Sequence, residues 1–200
     1  MTPPPGPRLL PGDVRQHAHA PDSPSPAAVL FDRDGTLVAH VPHNGDPSRV
    51  ALMPGAREAV DTVRAAGVPV GVVTSGVARG LLTRREVEDV RLRAAEPLGP
   101  LAVSAVCPHG PGQGCGCRTP APGPVLAACR RLAVPPGRTV VIGHIAADPE
   151  AARAAGARGV PVPTDVTRAE EVAAADTTAA DLPRAVRLVL DSALPTGEAR

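Results

Sequence analysis

The pattern that most constrains this chain is a regular alternation of short apolar runs with longer amphipathic runs, which begins at residue 27. Continuous apolar runs are typical of strands buried on both faces, and the amphipathic runs between them are typical of helices. The predicted strands are 27–31, 68–73, 101–106, 139–143 and 159–162, and the predicted helices are 55–66, 83–95, 122–132, 148–155 and 182–190. This order predicts an α/β fold, a doubly wound parallel sheet between two helical layers.

The core of this sheet must be built almost without aromatic side chains, because Phe31 is the single Phe and the chain has no Trp or Tyr. Small Val, Leu and Ala side chains fill a core only where backbones pack closely, which favours Ala-rich helices against the sheet. The missing aromatics also remove the usual stacking platform for bases. All 21 cationic residues are arginines, interspersed with acidic residues at a net charge of +1. We therefore expect no nucleic-acid partner.

The two ends of the chain differ from its middle. Residues 1–26 contain eight prolines and few large apolar groups, so they cannot offset the entropy of ordering and are predicted to be disordered. The folded domain is predicted to span 27–192, followed by a flexible tail at 193–200. No apolar run reaches the roughly 18 residues of a membrane span, and the N-terminus lacks the apolar stretch of a signal peptide. We therefore expect a monomeric cytoplasmic protein with no membrane partner.

Two aspartates directly follow the first predicted strand, in the sequence DRDGTL at 32–37. Ligands bind α/β sheets at the carboxyl ends of strands, where Asp32 and Asp34 can face one crevice. Two such carboxylates can bind a hard cation, and one can attack phosphorus while the other transfers a proton. For D-x-D-G alone the alternative is an Asx-type turn, in which Gly35 supplies an unusual backbone angle.

A second cluster follows the third predicted strand. Cys107 and His109 precede Cys115 and Cys117 in the pattern C-x-H-x5-C-x-C. Three thiols and an imidazole suit tetrahedral Zn²⁺ and leave no open position, so we predict a structural zinc ion that staples this Gly-rich loop. A redox cluster or a chance cysteine-rich turn is the alternative. Cys129 stands alone in an Ala-rich run and is predicted to be a core residue.

These motifs resemble the phosphatases of the haloacid dehalogenase (HAD) superfamily. The DRDGTL sequence matches the first motif of that superfamily residue for residue. The sequence CPH…CGCRTP at 107–120 is similar to C-P-H…C-x-C-R-K-P, which is found in the zinc-containing branch with heptose-bisphosphate and histidinol-phosphate phosphatases. The resemblance covers roughly residues 29–162. It implies a Rossmann-like HAD fold with a zinc-stapled loop and no large cap domain.

The resemblance also implies roles for individual residues. Asp32 would be the nucleophile that becomes an aspartyl-phosphate, and Asp34 would be the proton donor and base, whose carbonyl also contacts Mg²⁺. Arg118 matches an arginine that recognises substrate in the heptose-bisphosphate phosphatases. His40 and His43 lie in the stretch that aligns with the substrate-contacting loop of those enzymes, although the residue types differ.

The chain departs from the HAD pattern at three catalytic positions. The second motif, T-N-Q-S-G, is shortened to TSG, in which Thr74 would bind a phosphoryl oxygen and Ser75 would contact the substrate. Thr119 replaces the catalytic lysine of the third motif, and losing such an electrostatic partner typically costs about 2.7–4 kcal/mol of transition-state stabilisation. In the fourth motif, G-D-x-x-x-D, His144 replaces the metal-binding aspartate and Asp148 is kept. The implied Mg²⁺ ligands are these two residues and both first-motif aspartates, but imidazole suits Mn²⁺, Co²⁺ or Ni²⁺ better.

Two classes of function follow. The first is a phosphatase that hydrolyses a phosphate monoester of a small metabolite through an aspartyl-phosphate, with heptose 1,7-bisphosphate as the first candidate substrate and histidinol phosphate as the second. The other is a catalytically impaired domain that binds phosphorylated ligands or a partner without turnover, which the three altered motifs favour. The intact Asp32 and Asp34 favour the enzyme. A phosphatase of nucleic-acid ends is disfavoured, because no basic or aromatic pattern would hold a polynucleotide.

Overall fold

The computed structural model describes residues 6–10, 25–42, 44–75, 84–110, 112–175 and 177–192. The strands in these ranges are β1 (Arg8–Leu10), β2 (Ala28–Asp32), β3 (Val70–Thr74), β4 (Val103–Val106), β5 (Thr139–Gly143) and β6 (Arg158–Pro161). The α-helices are α1 (Ala56–Ala65), α2 (Arg84–Ala95), α3 (Gly123–Leu132), α4 (Ala147–Ala154), α5 (Ala169–Ala173) and α6 (Leu182–Asp191). Within the described residues, no helix combines the length and the apolar composition needed to cross a lipid bilayer.

The six strands form one sheet in the order β1-β4-β3-β2-β5-β6, in which β2 to β6 run parallel. From β2 the chain moves outward through β3 and β4, and it then crosses to the other side of β2 to add β5 and β6. The carboxyl ends of β2 and β5 therefore flank a topological switch point, which is where doubly wound sheets bind their ligands.

The core lies on both faces of the sheet, because successive side chains of a buried strand point to opposite sides. On β2, Leu30 packs into one apolar cluster and Phe31 into the other, and both are fully buried. Helices α1, α2 and α6 contribute to the cluster around Phe31, and helices α3 and α4 contribute to the cluster around Leu30. This arrangement confirms the predicted three-layer α/β fold and holds β2 rigidly in the middle layer.

Two elements differ from the sequence-based expectation. Residues 8–10 belong to the segment predicted to be disordered, yet they form β1, which pairs antiparallel with β4 and makes the sheet mixed rather than wholly parallel. Pairing with β1 covers the backbone groups that β4 would otherwise present at an open edge. Helix α5 was not predicted either, and both elements are too short to show a hydrophobic period. The remainder of the N-terminal segment, at 1–5 and 11–24, and the expected tail at 193–200 lie outside the described residues.

Candidate active site

Asp32 is the last residue of β2, at the switch point of the sheet. Its Oδ2 lies 3.5 Å from Nδ1 of His144 and accepts a 3.4 Å hydrogen bond from the Thr36 hydroxyl, which is also 3.3 Å from the same nitrogen. Burial raises the pKa of Asp32 to about 7, the hydrogen bond to His144 opposes this rise, and the charges of Asp148 and Asp34 add to it. A buried carboxyl with a strongly raised pKa beside a charge partner is typical of a functional site.

The other half of the cluster comes from the connection between β5 and α4. Oδ2 of Asp148 accepts hydrogen bonds from the backbone N–H groups of His144, at 2.9 Å, and Ile145, at 3.2 Å. It also lies 3.7 Å from Nδ1 of His144, so one nitrogen and two carboxylates gather within 4.8 Å of one another. Burial lowers the pKa of His144, but the hydrogen bond to Asp32 and the neighbouring carboxylates outweigh burial and raise it.

Two glycines make this close approach possible. Gly35 has a φ of +90°, and a Cβ at this position would overlap the imidazole of His144. A Cβ at Gly143 would overlap the side chain of Asp148 in the same way. The glycine of DRDGTL therefore has both a conformational role in the turn and a packing role beneath the imidazole.

Asp34 does not join the cluster through its carboxylate. It forms a bidentate ion pair with the neighbouring Arg33, in which Nε lies 3.0 Å from Oδ1 and Nη2 lies 2.7 Å from Oδ2. Among the described residues, the side chains grouped as metal ligands at this site are Asp32, His144 and Asp148. Three of the four residues expected at the Mg²⁺ site therefore bring their side chains together, and the expected contact of Asp34 through its carbonyl and its proton-transfer role stay predictions. Sequence reasoning passed over Arg33, although its place between the two aspartates was a signal.

The second and third motifs meet beside the carboxyl end of β3. Thr74 ends this strand and is 4% exposed, and the Oγ of Ser75 lies 2.6 Å from the Thr119 Oγ1. Nη1 of Arg118 donates hydrogen bonds to the carbonyls of Ser75, at 2.8 Å, and His109, at 3.2 Å. Arg118 therefore ties the cysteine loop, residues 107–117, to Ser75, the residue after β3, and its contact with substrate stays a prediction.

The cysteine and histidine side chains of the predicted zinc loop come together. Sγ of Cys107 lies 3.7 Å from Nδ1 of His109, 3.7 Å from Sγ of Cys115 and 3.3 Å from Sγ of Cys117. Nδ1 of His109 lies 3.1 Å from Sγ of Cys117. Zinc–sulfur bonds of about 2.3 Å place the thiolates of a tetrahedral site about 3.7 Å apart, so both the donor set and its spacing fit Zn²⁺.

The thiols of this cluster differ from the fourth cysteine. Burial raises the pKa of Cys117 and of Cys107, whereas at Cys115 hydrogen bonds outweigh burial and lower the pKa. A cation among such thiols favours their thiolate forms. Cys129 lies apart, buried on α3 with its thiol directed to the Thr139 hydroxyl, as expected for a core residue.

The predicted substrate loop is closed at its base, where the Ala39 N–H donates a 2.9 Å hydrogen bond to the carbonyl of Ala51. His40 lies just inside this loop and is exposed. His43 lies outside the described residues. The roles of both histidines in binding substrate therefore stay predictions.

Comparisons with known proteins agree with this geometry. The HAD-hydrolase-like family model matches residues 116–188. The D-glycero-β-D-manno-heptose-1,7-bisphosphate 7-phosphatase of Pseudomonas putida is 35% identical over 147 residues, which are 68% of this chain and 82% of that protein. The enzyme of the same name from Pseudomonas aeruginosa is 37% identical over 151 residues, which are 70% and 83% of the two chains.

Solved structures share the fold. A HAD-like phosphatase from Mesorhizobium loti is 26% identical, with a TM-score of 0.72 over 98% of this chain and 97% of that chain. The D,D-heptose 1,7-bisphosphate phosphatase of Bordetella bronchiseptica, solved with magnesium and phosphate, is 24% identical, with a TM-score of 0.72 over 82% and 98%. With its DRDGTL motif at the switch point and relatives of this identity and coverage, the chain belongs to the HAD-like phosphatase family that includes the heptose-1,7-bisphosphate 7-phosphatases.

Proposed function

We propose that this chain hydrolyses a phosphate monoester of a small metabolite through an aspartyl-phosphate, and that D-glycero-D-manno-heptose 1,7-bisphosphate is its substrate. The observation that carries the proposal is the position of Asp32 at the switch point, clustered with His144 and Asp148. The relatives named for removal of the 7-phosphate of this sugar support the choice of substrate. Histidinol phosphate is the second substrate to test.

The proposed reaction has two steps. In the first, a carboxylate oxygen of Asp32 attacks phosphorus while the bond from phosphorus to the sugar oxygen breaks and Asp34 protonates that leaving oxygen. In the second, water attacks the aspartyl-phosphate and gives its proton to Asp34, which releases inorganic phosphate and restores Asp32. For this role Asp34 must leave its bidentate ion pair with Arg33, which engages both of its carboxylate oxygens and stabilises the ionised form.

Hydroxyl groups would bind the phosphoryl oxygens in place of the absent lysine. Thr74 is the last residue of β3, which pairs with β2 beside Asp32, and the 2.6 Å contact between Ser75 and Thr119 puts two further hydroxyls side by side. Each hydroxyl can donate one hydrogen bond but carries no charge. A binding set of this kind has less electrostatic stabilisation than one with a lysine, so we expect slow turnover.

Two metal ions fit the donor sets of the chain. Asp32, His144 and Asp148 would hold a divalent cation, which supplies positive charge to the phosphoryl oxygens when bound. An imidazole in place of a carboxylate favours Mn²⁺, Co²⁺ or Ni²⁺ over Mg²⁺. The loop of residues 107–117 would hold a structural Zn²⁺, and Arg118 connects this loop to the backbone of Ser75.

The test is phosphate release from heptose 1,7-bisphosphate in Mg²⁺, Mn²⁺, Co²⁺ and Ni²⁺, with the natural chain and with Asp32→Asn. Replacing the nucleophile should lower the rate by a factor on the order of a thousand or more. Asp61→Asn is a matched control, because Asp61 is an exposed carboxylate on α1 that pairs with Arg64. Equal rates for the natural chain and Asp32→Asn in all four cations would refute the proposal.

A second candidate is a domain that binds phosphorylated ligands without turnover. The observation that favours it is the loss of two charged groups at one site, at Thr119 and His144, together with the pairing of Asp34 to Arg33. Calorimetry with heptose 1,7-bisphosphate separates the two candidates. Binding that requires Thr74 but is followed by no phosphate release would favour this second function.

A further inference from the structure

The loop that carries His144 is held from outside by a separate segment that follows β6. The hydroxyl of Thr167 donates a 2.6 Å hydrogen bond to the carbonyl of His144. Oγ1 of Thr167 also accepts a 2.8 Å hydrogen bond from the Thr164 N–H, so two partners fix the orientation of the Thr167 hydroxyl. Four residues further on, Oε2 of Glu171 accepts a 2.9 Å hydrogen bond from the backbone N–H of Ala146.

These contacts complete the hydrogen bonding of the loop. On the inner side, Asp148 takes the N–H groups of His144 and Ile145. On the outer side, the Thr167 hydroxyl donates a hydrogen bond to the carbonyl of His144. Ala146 stands at the N-terminal cap of α4 and has no side chain that can cap it, so Glu171 binds its N–H group from a distant segment.

The space behind the loop shows why the outer contacts matter. A cavity of about 380 Å³ lies between α4, β6 and α5, and His144, Ala146, Thr167 and Glu171 are among the residues that line it. The His144 loop is therefore not closely packed on the side of the cavity. There it is held by the hydrogen bonds from Thr167 and to Glu171. If they were lost, the loop would have room to relax outward and carry Nδ1 of His144 away from Asp32.

We propose that Thr167 and Glu171 are positioning residues, which hold the loop so that the His144 imidazole stays beside Asp32 and Asp148. The expected loss of activity rests on the proposed function, but the expected loss of cation affinity does not. Residues behind metal ligands commonly change cation affinity about 10- to 100-fold when they are replaced.

The experiment compares Thr167→Val and Glu171→Ala with two matched controls. Thr164→Val is the first control, because the Thr164 hydroxyl is buried and has no hydrogen-bond partner among the described residues. Glu170→Ala is the second, because Glu170 lies on the same helix and pairs only at the surface, 3.5 Å from Arg168. Co²⁺ affinity is measured from the absorption spectrum of protein already loaded with zinc, and kcat and KM are measured with heptose 1,7-bisphosphate.

The expected result is a 10- to 100-fold weaker Co²⁺ affinity for Thr167→Val and Glu171→Ala, with kcat reduced and KM nearly unchanged. Thr167→Ser should restore both quantities to within about threefold, and the controls should stay within about twofold of the natural chain. Unchanged Co²⁺ affinity in folded Thr167→Val and Glu171→Ala would overturn the inference. If either variant fails to fold, Glu171→Asp, which is one methylene shorter and withdraws the acceptor from the Ala146 N–H, must bind Co²⁺ more weakly than Glu170→Asp, whereas Glu171→Gln, which keeps an acceptor, must bind like the natural chain. Weaker Co²⁺ binding without phosphate release from the natural chain would reject the proposed function and leave the inference standing.

Discussion

The loop of residues 107–117 and the cluster around Asp32 both bring together side chains that could hold a metal ion at the carboxyl edge of the sheet, but they do so in opposite ways. The first takes all its ligands from one short stretch that follows β4. The second takes them from the end of β2 and from the connection between β5 and α4. A local set of soft ligands depends on its ion for shape, whereas a cluster built on two buried strands keeps its geometry through the sheet.

The two regions also differ in how they balance charge. In the cysteine cluster, a cation at the centre would stabilise the negatively charged thiolate forms of the thiols. In the Asp32 cluster, the imidazole of His144 lies between two carboxylates, 3.5 and 3.7 Å from their oxygens. We therefore expect loss of a ligand to damage structure in the first region and chemistry in the second. Arg118 links the first region to Ser75, the residue after β3, through the carbonyls of His109 and Ser75.

The largest effect is expected from Cys117→Ser, which tests whether the cysteine loop depends on zinc for its structure. The variant should lose its zinc, and the free energy of unfolding should fall by about 3 kcal/mol or more, since structural zinc contributes roughly 10–16 kcal/mol in small zinc domains. Metal analysis and urea unfolding measure the two effects. Cys129→Ser is the matched control, because Cys129 is buried outside the cluster and its replacement should leave the zinc in place. A Cys117→Ser protein with one zinc per chain and natural stability would show that the loop does not depend on the ion.

The next largest effect is expected at the active site itself, from the double variant His144→Asp with Thr119→Lys. Each change restores a charge that the family pattern carries, so kcat/KM with Mg²⁺ should rise by about 100- to 1000-fold, and Mn²⁺ should lose its advantage. Thr62→Lys, which adds the same charge on α1 away from the site, should leave the rate unchanged. An unaltered rate with Mg²⁺ in the double variant would mean that the natural site works without these charges.

A smaller effect concerns stability and pH. The pKa of Asp32 is raised from 3.8 to about 7 in the folded protein, so between these values the folded state binds more protons than the unfolded state. The contribution of Asp32 to the free energy of unfolding must then fall as the pH rises from about 4 to 7. In zinc-loaded protein without other divalent cations, Asp32→Asn should be more stable than the natural chain by about 1–3 kcal/mol at pH 8 and by less at pH 5.

Urea unfolding of both proteins at the two pH values measures this difference. Asp61→Asn, at an exposed site, should shift stability equally at both. If Asp32→Asn is no more stable than the natural chain at pH 8, the buried carboxylate is not a source of strain.

The smallest effect should come from Arg118→Ala, which removes the link between the cysteine loop and Ser75. Loss of the hydrogen bonds to Ser75 and His109 should lower the free energy of unfolding by about 1–3 kcal/mol while zinc stays bound. Arg118→Lys keeps one charged donor and should recover part of this loss. A change in KM without any change in stability would instead assign Arg118 to the substrate alone.

Parts of the fold and the site were predictable because their signals are local. The five apolar runs that became β2 to β6 carry a visible pattern, and the four zinc ligands stand within eleven residues in a recognisable spacing. Asp32 and Asp148 were predictable from motif resemblance. Strand β1 and helix α5 were not, because three and five residues are too short to carry a period and their positions depend on what they pack against.

By itself, the sequence determined the three-layer sheet and the chemical character of both clusters, since hydrophobic period and donor type are properties of neighbouring residues. Only the tertiary structure decided that Asp34 pairs with Arg33, that Arg118 bonds the carbonyl of Ser75, and that Thr167 and Glu171 contact the His144 loop from outside. Such contacts depend on the distance and orientation of side chains once the chain has folded. The pattern of neighbouring residues in the sequence does not specify that geometry.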